Sequence, residues 1–476
     1  MLFNSFEFIL FFPIVTFLFF VFPYKYRWML LLTSSCVFYA FFKWEYIFIL
    51  LFTIIIDYYA GIWIHKTHGV KRKWALATSL VANIGVLALF KYYYFIIDNF
   101  NAVSYKINQT HYDPLWHFIL PIGLSFHTFQ AMSYTIEVYR GNQKVERNFG
   151  IYALYVMFYP QLVAGPIERP QNVLHQFYEK FDFDYDRVKS GLRLMLWGMF
   201  KKVVIADNLS VFVDQVYGDL GKYQGTPLLI ATLFYSVQIF CDFSGYSDIA
   251  LGSARVMGFK LMKNFDRPYA AKSISEFWKR WHISLSTWFR DYLYIPLGGN
   301  RVNTFRKYFN LFLVFMVSGL WHGASWNFVI WGALHGFYQI MGQLTKNFQT
   351  KLFGLFGNKL SAILQNIITV ALVVFAWIFF RATKFSDAKY VIKNIFASSS
   401  HSFKEIIALI GTQNLIVVLI GILILEFVHR MQKKQDMGRW VENRPKWQRW
   451  SIYYFFLFFI ITYGYFGEVQ FIYFQF

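Results

Sequence analysis

Cysteine and charge are both scarce in this chain. The 476 residues include only Cys36 and Cys241, far apart and each inside an apolar run. Two isolated thiols exclude a disulfide framework and a cysteine-built metal site. Charged residues make up 15% of the chain, against roughly 25% in an ordinary soluble protein, which excludes a large soluble enzyme. Also missing are a Walker-type phosphate loop, a glycine-rich dinucleotide fingerprint, an HExxH or cysteine-rich metal cluster and a GxSxG elbow. No known signature for ATP hydrolysis is present. Internal repeats, coiled-coil heptads and low-complexity linkers are absent too.

Oil and aromatic rings fill the space. Apolar residues reach 57%, and aromatics reach 22%, led by 58 Phe and 33 Tyr. That many rings exceed an interfacial belt, so many must pack between helices or against lipid. The formal charge is nevertheless +20. Nucleic-acid binding would need a soluble basic domain, and none is visible. The excess fits cytoplasmic loops, contact with anionic lipid headgroups, or a docking surface for an anionic donor.

A span needs about 20 largely apolar residues. Phe6–Phe22, Trp28–Phe42, Tyr46–Ile64 and Trp74–Ile97 qualify early in the chain, and Tyr308–Val317 running on through His322, Ile363–Phe380, Leu415–Phe427 and Ser451–Tyr465 qualify late. The first run has an acid, no basic region ahead of it and no cleavage site after it, and reads as a retained span. Basic loops at Pro23–Arg27 and His65–Lys73 alternate with a neutral Lys43–Glu45 and a loop at Asp98–Asp113 carrying two acids and one lysine. The positive-inside rule then places the N-terminus outside. Arg430–Arg449, with seven Lys/Arg against Asp436 and Glu442, reads as cytoplasmic. From about Leu120 to Gly342 the apolar runs are broken, as in LPIGLSFHTFQAMSY, FYPQLVAGPIERP and IFCDFSGYSDIALGSARVMGF. Such backbone survives at membrane depth only where protein buries it or it lines a cavity, so this region predicts re-entrant segments and short helices around a hydrated tunnel. One membrane domain, 1–476, accounts for the chain, with a core at about 120–342 and flanks at 1–119 and 343–476.

An ionisable ring at membrane depth is a functional-site hypothesis by default. His322 follows an apolar run and has Ser318, Gly319, Gly323, Ser325 and Asn327 around it. On a continuous helix, Ser318 and Trp326 share its face, and the glycines let another backbone or a thin ligand approach. A neutral imidazole there could take the proton from a hydroxyl attacking a thioester; the alternative is a histidine hydrogen-bonded between helices. His282 lies where Glu276, Lys279 and Arg280 alternate with Phe277, Trp278 and Trp281, a pattern predicting an amphipathic helix at a membrane surface. It continues through Arg290 and Asp291 to the turn Pro296–Asn300. His282 could position a donor or polarise its carbonyl, or be a plain interfacial histidine. Asp242 and Asp248 must each pair, bind an ion or line water, and Asp242 could orient a histidine or cap a short helix through Ser244. Between Arg255 and Lys307, eleven Lys/Arg face three acids, a surface suited to coenzyme A phosphates or an acidic carrier, or merely to loops obeying topology.

FCDFSGYSDIALGSARVMGFKLMKNFDRPY, SISEFWKRWHISLSTWFRDYLYIPLGGNR and GLWHGASWNFVIWGALHG, with LVAGPIERP at Leu162–Pro170 and the terminal FIYFQF, resemble the membrane-bound O-acyltransferase family. The similarity is to its bacterial alginate and peptidoglycan O-acetylation branch, related to the D-alanyl transfer protein of teichoic acid. The resemblance implies an all-α polytopic membrane protein, a ring of helices around a thin central funnel. It implies His322 as the catalytic histidine and His282 as the family's second polar position. Trp281, Arg290, Ser318, Trp321 and Asn327 are candidates for substrate contact, and Asp242 for a structural or orienting role. It also implies acetyl-coenzyme A or another acyl thioester as donor substrate, with no bound cofactor and no metal. A separate extracytoplasmic acyltransferase partner, membrane lipids as surroundings and a bacterial inner-membrane location complete the expectation. A transporter or flippase for a polysaccharide or lipid-linked sugar, and a lipid-modifying member of the same family, are the rival readings.

Overall fold

The computed structural model describes all residues except 109–110, 117, 468–469 and 475–476, and only the backbone of Asn108 and Phe474. Among the described residues every regular element is helical. All eight apolar runs lie on helices, and five helices are long and apolar enough to cross a membrane: Tyr46–Lys66, Gly69–Ile107, Thr226–Met257, Asn358–Arg381 and Thr412–Gln432. The chain is a multi-pass, all-α membrane protein. It divides into two compact units, Met1–Met195 with Ile249–Met262, and Leu196–Asp248 with Lys263–Phe476.

In the first unit, Phe6–Val21, Arg27–Ala40, Tyr46–Lys66, Gly69–Asn108, Leu124–Arg140 and Phe149–Met157 are the main helices. Local chemistry sets their ends. The Ser5 hydroxyl accepts the Phe8 N–H, and the Asn148 side chain accepts from Gly150 and Ile151, satisfying donors that a helix start leaves open. Leu124–Arg140 is bracketed by Gly123 and Gly141, at φ 78° and 80°, conformations glycine adopts without strain. The Gly69 helix runs on to Asn108, so most of the loop expected at Asp98–Asp113 is helical. Gln109 and Thr110 of that loop lie outside the described residues. A buried polar seam ties the helices Tyr46–Lys66, Gly69–Asn108 and Leu124–Arg140 together. Asp57 accepts the Ser79 hydroxyl at 2.6 Å and the Asn83 amide at 2.9 Å, and Thr53 meets His127 at 2.6 Å.

Two expectations about the broken middle segment are corrected. IFCDFSGYSDIALGSARVM is no re-entrant or short-helix segment but part of one unbroken helix, Thr226–Met257. Its small residues mark close approach. A Cβ on Gly245 would press on the Gly198 carbonyl and the Lys202 backbone, at the edge of the π-helical stretch Phe200–Ala206. The predicted surface helix around His282 is likewise not continuous. It is two short helices, Ile274–Arg280 and Ile283–Phe289, with Trp281 and His282 buried between them. LVAGPIERP does form irregular, buried backbone after the short helix Tyr159–Leu162.

Candidate active site

All eight candidate residues belong to the second unit. His322 is the last residue of the helix Thr304–His322, which packs against Trp326–Leu344 across the turn 323–325. Glycines make that pairing close. A Cβ on Gly319 would collide with the Phe328 carbonyl oxygen, one on Gly332 with that of Phe315, and one on Gly323 with the Phe328 ring. The space beside these glycines is therefore taken by backbone and a ring, not left for a thin ligand. The break also corrects the expected helical face. Trp326 starts a new helix after the Ser325 N-cap and is exposed, whereas Ser318, one turn before His322, is buried.

The His322 ring is only 4% exposed. Its walls are Trp321 and Trp331, each with its centroid 4.9 Å away, Phe380 at 5.3 Å and Tyr473 at 5.8 Å. His282, forty residues earlier, reaches the same cluster. Its ring lies 6.2 Å from Trp321, 6.3 Å from Tyr473 and 4.7 Å from Phe243. Trp321 and Tyr473 thus touch both histidines. Trp281 is one remove away: it packs on Trp377 at 5.1 Å, which stacks on Trp331 at 6.0 Å.

His282 has a left-handed backbone, φ 43° and ψ 56°. Arg267 is the one other non-glycine with positive φ among the described residues. Such a conformation costs roughly 1–2 kcal/mol outside glycine and persists only where surroundings enforce it. Asn264 does the enforcing. Its carbonyl accepts the Ile283 N–H at 2.9 Å. Its side-chain oxygen accepts the Ser284 N–H at 3.2 Å and the Ser284 hydroxyl at 2.9 Å, and contacts His282 Nδ1 at 3.2 Å. Because a backbone N–H can only donate, the atom facing it is the amide oxygen, so Nδ1 must carry the proton. Nε2 is left as the hydrogen-bond acceptor. His282 lies outside the five candidate spans, and burial pushes its pKa down to about 3, so the ring is neutral near pH 7.

Asp242 does not cap a short helix. It sits inside the Thr226–Met257 helix, pairs with Lys202 at 2.7 Å and accepts the Ile472 N–H at 2.9 Å. Lys202 also pairs with Asp207 at 2.7 Å, while Lys201 pairs with Asp248 at 2.8 Å and donates to Ser244. This buried charge group pins the C-terminal segment, and with it Tyr473, against the histidines. Gln475 and Phe476 of FIYFQF lie outside the described residues. Asn327 is buried and donates to the Ala382 carbonyl at 2.7 Å, fastening two helices. Arg290 is exposed and pairs with its neighbour Asp291 at 2.7 Å.

Residues 145–386, which include both histidines, match the model of the membrane-bound O-acyltransferase family. The chain belongs to that family. This acyltransferase is 37% identical over 423 residues to the probable alginate O-acetylase AlgI of Pseudomonas aeruginosa, covering 88% of this chain and 78% of the relative. It is 37% identical over 397 residues to the peptidoglycan O-acetyltransferase of Helicobacter pylori, covering 77% and 73%. Against the teichoic acid D-alanyltransferase of Bacillus subtilis it is 27% identical over 289 residues, covering 58% and 72%. The protein is a membrane O-acyltransferase, and the transporter reading is set aside. Sequence reasoning missed Asn264, Tyr473, Trp331, Phe380 and the second unit's third buried histidine, His335, whose Nδ1 accepts the Trp278 indole N–H at 3.3 Å.

Proposed function

We propose that this acyltransferase moves an acetyl group from acetyl-coenzyme A, supplied from the cytoplasm, across the bacterial inner membrane to an extracytoplasmic hydroxyl, for O-acetylation of a cell-envelope polysaccharide. The observation that carries this reading is the convergence of His322 and His282, both in the family-matching region, on one enclosed aromatic cluster. His322 acts as general base. It takes the proton of the acceptor hydroxyl as that oxygen attacks the thioester carbonyl. The new C–O bond forms, the C–S bond breaks, and the leaving thiolate takes the proton back from the imidazolium. Neutral His282, with Nδ1–H given to Asn264, accepts a hydrogen bond through Nε2. That tautomer suits holding a hydroxyl better than polarising a carbonyl.

The donor enters by the basic segment. Within the second unit, Lys263, Lys272, Lys279, Arg290, Arg301 and Arg306 are exposed, and the three acids there already have cationic neighbours: Asp266 with Lys263 and Arg267, Glu276 with Arg280, Asp291 with Arg290. The net field therefore favours a polyanion such as coenzyme A. The acceptor is presented by a separate extracytoplasmic acyltransferase. The likeness to an alginate O-acetylase and a peptidoglycan O-acetyltransferase supports a polysaccharide as final product.

The test is His322→Ala in the native host, with envelope O-acetyl content and turnover of labelled acetyl-coenzyme A by the purified protein both measured. A lost general base lowers the rate by about 10²–10⁴, with membrane insertion unchanged. Normal acetylation by this variant would remove His322 from the mechanism.

A further inference from the structure

The first unit carries two adjoining cavities that the acyl-transfer reading does not use. One, of about 630 Å³, is an apolar groove lined by Ile55, Ile56, Tyr59, Ile62, Trp63 and Thr78, and it ends at Lys66 and Thr67. The other, of about 510 Å³, shares Thr67 and is basic: His65, His68, Arg72, Lys144 and Arg147 line it, with no carboxylate among its lining residues. The neighbouring acids are engaged elsewhere. Glu137 accepts from Arg140, Asn142 and Gln171, and Glu146 accepts from the Asn148 N–H and the Tyr178 hydroxyl. Arg72 is a fixed floor to the basic cavity. Its guanidinium donates to the Tyr139 carbonyl at 2.6 Å and lies over the Tyr139 ring, and its Nε has no hydrogen-bond partner among the described residues.

We propose that these two cavities form one site for an anionic glycerophospholipid, with an acyl chain in the groove and the phosphate in the basic cavity. Length supports the pairing. From Ile55 to Lys66 the helix rises about 16 Å, roughly half the 30 Å hydrocarbon core, which is the depth of one leaflet. Trp63 and Trp74, both exposed, sit at the headgroup end of the hairpin, where amphipathic rings favour the interface. Charge complementarity names the occupant: a zwitterionic lipid offers the same chain but no net charge for Lys144 and Arg147.

The experiment titrates the purified full chain, in mixed micelles, with fluorescent phosphatidylglycerol and separately with fluorescent phosphatidylcholine. Wild-type protein binds phosphatidylglycerol about thirtyfold more tightly. Lys144→Gln with Arg147→Gln, both exposed positions, weakens phosphatidylglycerol about thirtyfold, equivalent to about 1 kcal/mol per cation, and brings the two lipids level. Thr78→Trp, which plugs the groove from an exposed position, weakens both lipids. Millimolar inorganic phosphate leaves phosphatidylglycerol bound, because it lacks the chain. Equal binding of the two lipids by wild-type protein, an unchanged preference in the double variant, unchanged binding with the groove plugged, or displacement by free phosphate would each overturn the proposal.

Discussion

The left-handed backbone at His282 makes a stability order that ordinary helix chemistry forbids. His282→Ala and His282→Gly both delete the ring, so both lose its packing on Phe243, Trp321 and Tyr473 and its bond to Asn264. What differs is the backbone. Alanine keeps the strain of φ 43°, about 1–2 kcal/mol, whereas glycine has almost none and loses only about 0.5–1 kcal/mol through extra freedom in the unfolded chain. Glycine therefore wins at position 282 by about 0.5–1 kcal/mol. Thr287, inside the helix Ile283–Phe289, supplies the control, because there alanine wins by about 1 kcal/mol. The two comparisons differ by about 1.5–2 kcal/mol, and detergent and size effects cancel between them. At about 1–2 °C per kcal/mol for a chain this long, thermal unfolding in detergent shows the two Ala–Gly orders reversed by about 2–4 °C. If alanine is favoured at 282 by the same margin as at 287, the strained clamp is wrong, and with it the tautomer assigned to His282.

Asn264→Ala strips the acceptor from three buried donors, each worth about 1–3 kcal/mol when left unmade. It lowers both thermal stability and acetyl transfer, while Asn264→Asp keeps the acceptor but sets a carboxylate on Nδ1 and so raises the acid limb of the pH–rate profile. Gly319→Ala drives a methyl group into the Phe328 carbonyl; the rigid obstacle spreads the hairpin one turn from His322, so the rate falls more than tenfold in the same acetyl-coenzyme A assay. Lys202→Met leaves Asp207 and Asp242 uncompensated, a loss of about 3–5 kcal/mol. Asp242→Asn, which still accepts from Ile472, does less harm, and limited proteolysis of the C-terminal segment ranks the two. Burial holds His282 near 3, below its ordinary 6.5. As pH drops below about 6.5 the unfolded chain therefore takes a proton that the folded ring refuses. Stability falls by up to about 1.4 kcal/mol per pH unit in that window, and His282→Asn reduces this slope in melting curves measured from pH 7 to pH 4.

The sequence made most spans legible because a long apolar run has few other uses, though the run at Trp74–Ile97 stopped well short of its helix end at Asn108 and the span Thr226–Met257 was not read as one. It misled where polarity inside a run was taken as a break. IFCDFSGYSDIALG is uninterrupted helix because its acids meet Lys201 and Lys202, and nothing near Asp242 in sequence announces lysines forty residues earlier. The stop after His322 was readable, since Gly323 and Ser325 form an ordinary helix end and N-cap; counting four residues on to Trp326 ignored them. Asn264 and Tyr473 lie in stretches that carry the family resemblance, but nothing local ties either to a histidine. The first acts on a histidine eighteen residues away, and the second is set by a carboxylate 230 residues from the Ile472 amide beside it. The same distinction separates scaffold from site. Each buried acid of the second unit's charge group has found a lysine, so its burial is offset by structure alone. His282 is instead packed against Phe243, Trp321 and Tyr473 and tied to the neutral amide of Asn264. Surroundings of that kind keep the His282 imidazole uncharged, and on the function proposed above the uncharged ring can accept a hydrogen bond from the acceptor hydroxyl through Nε2.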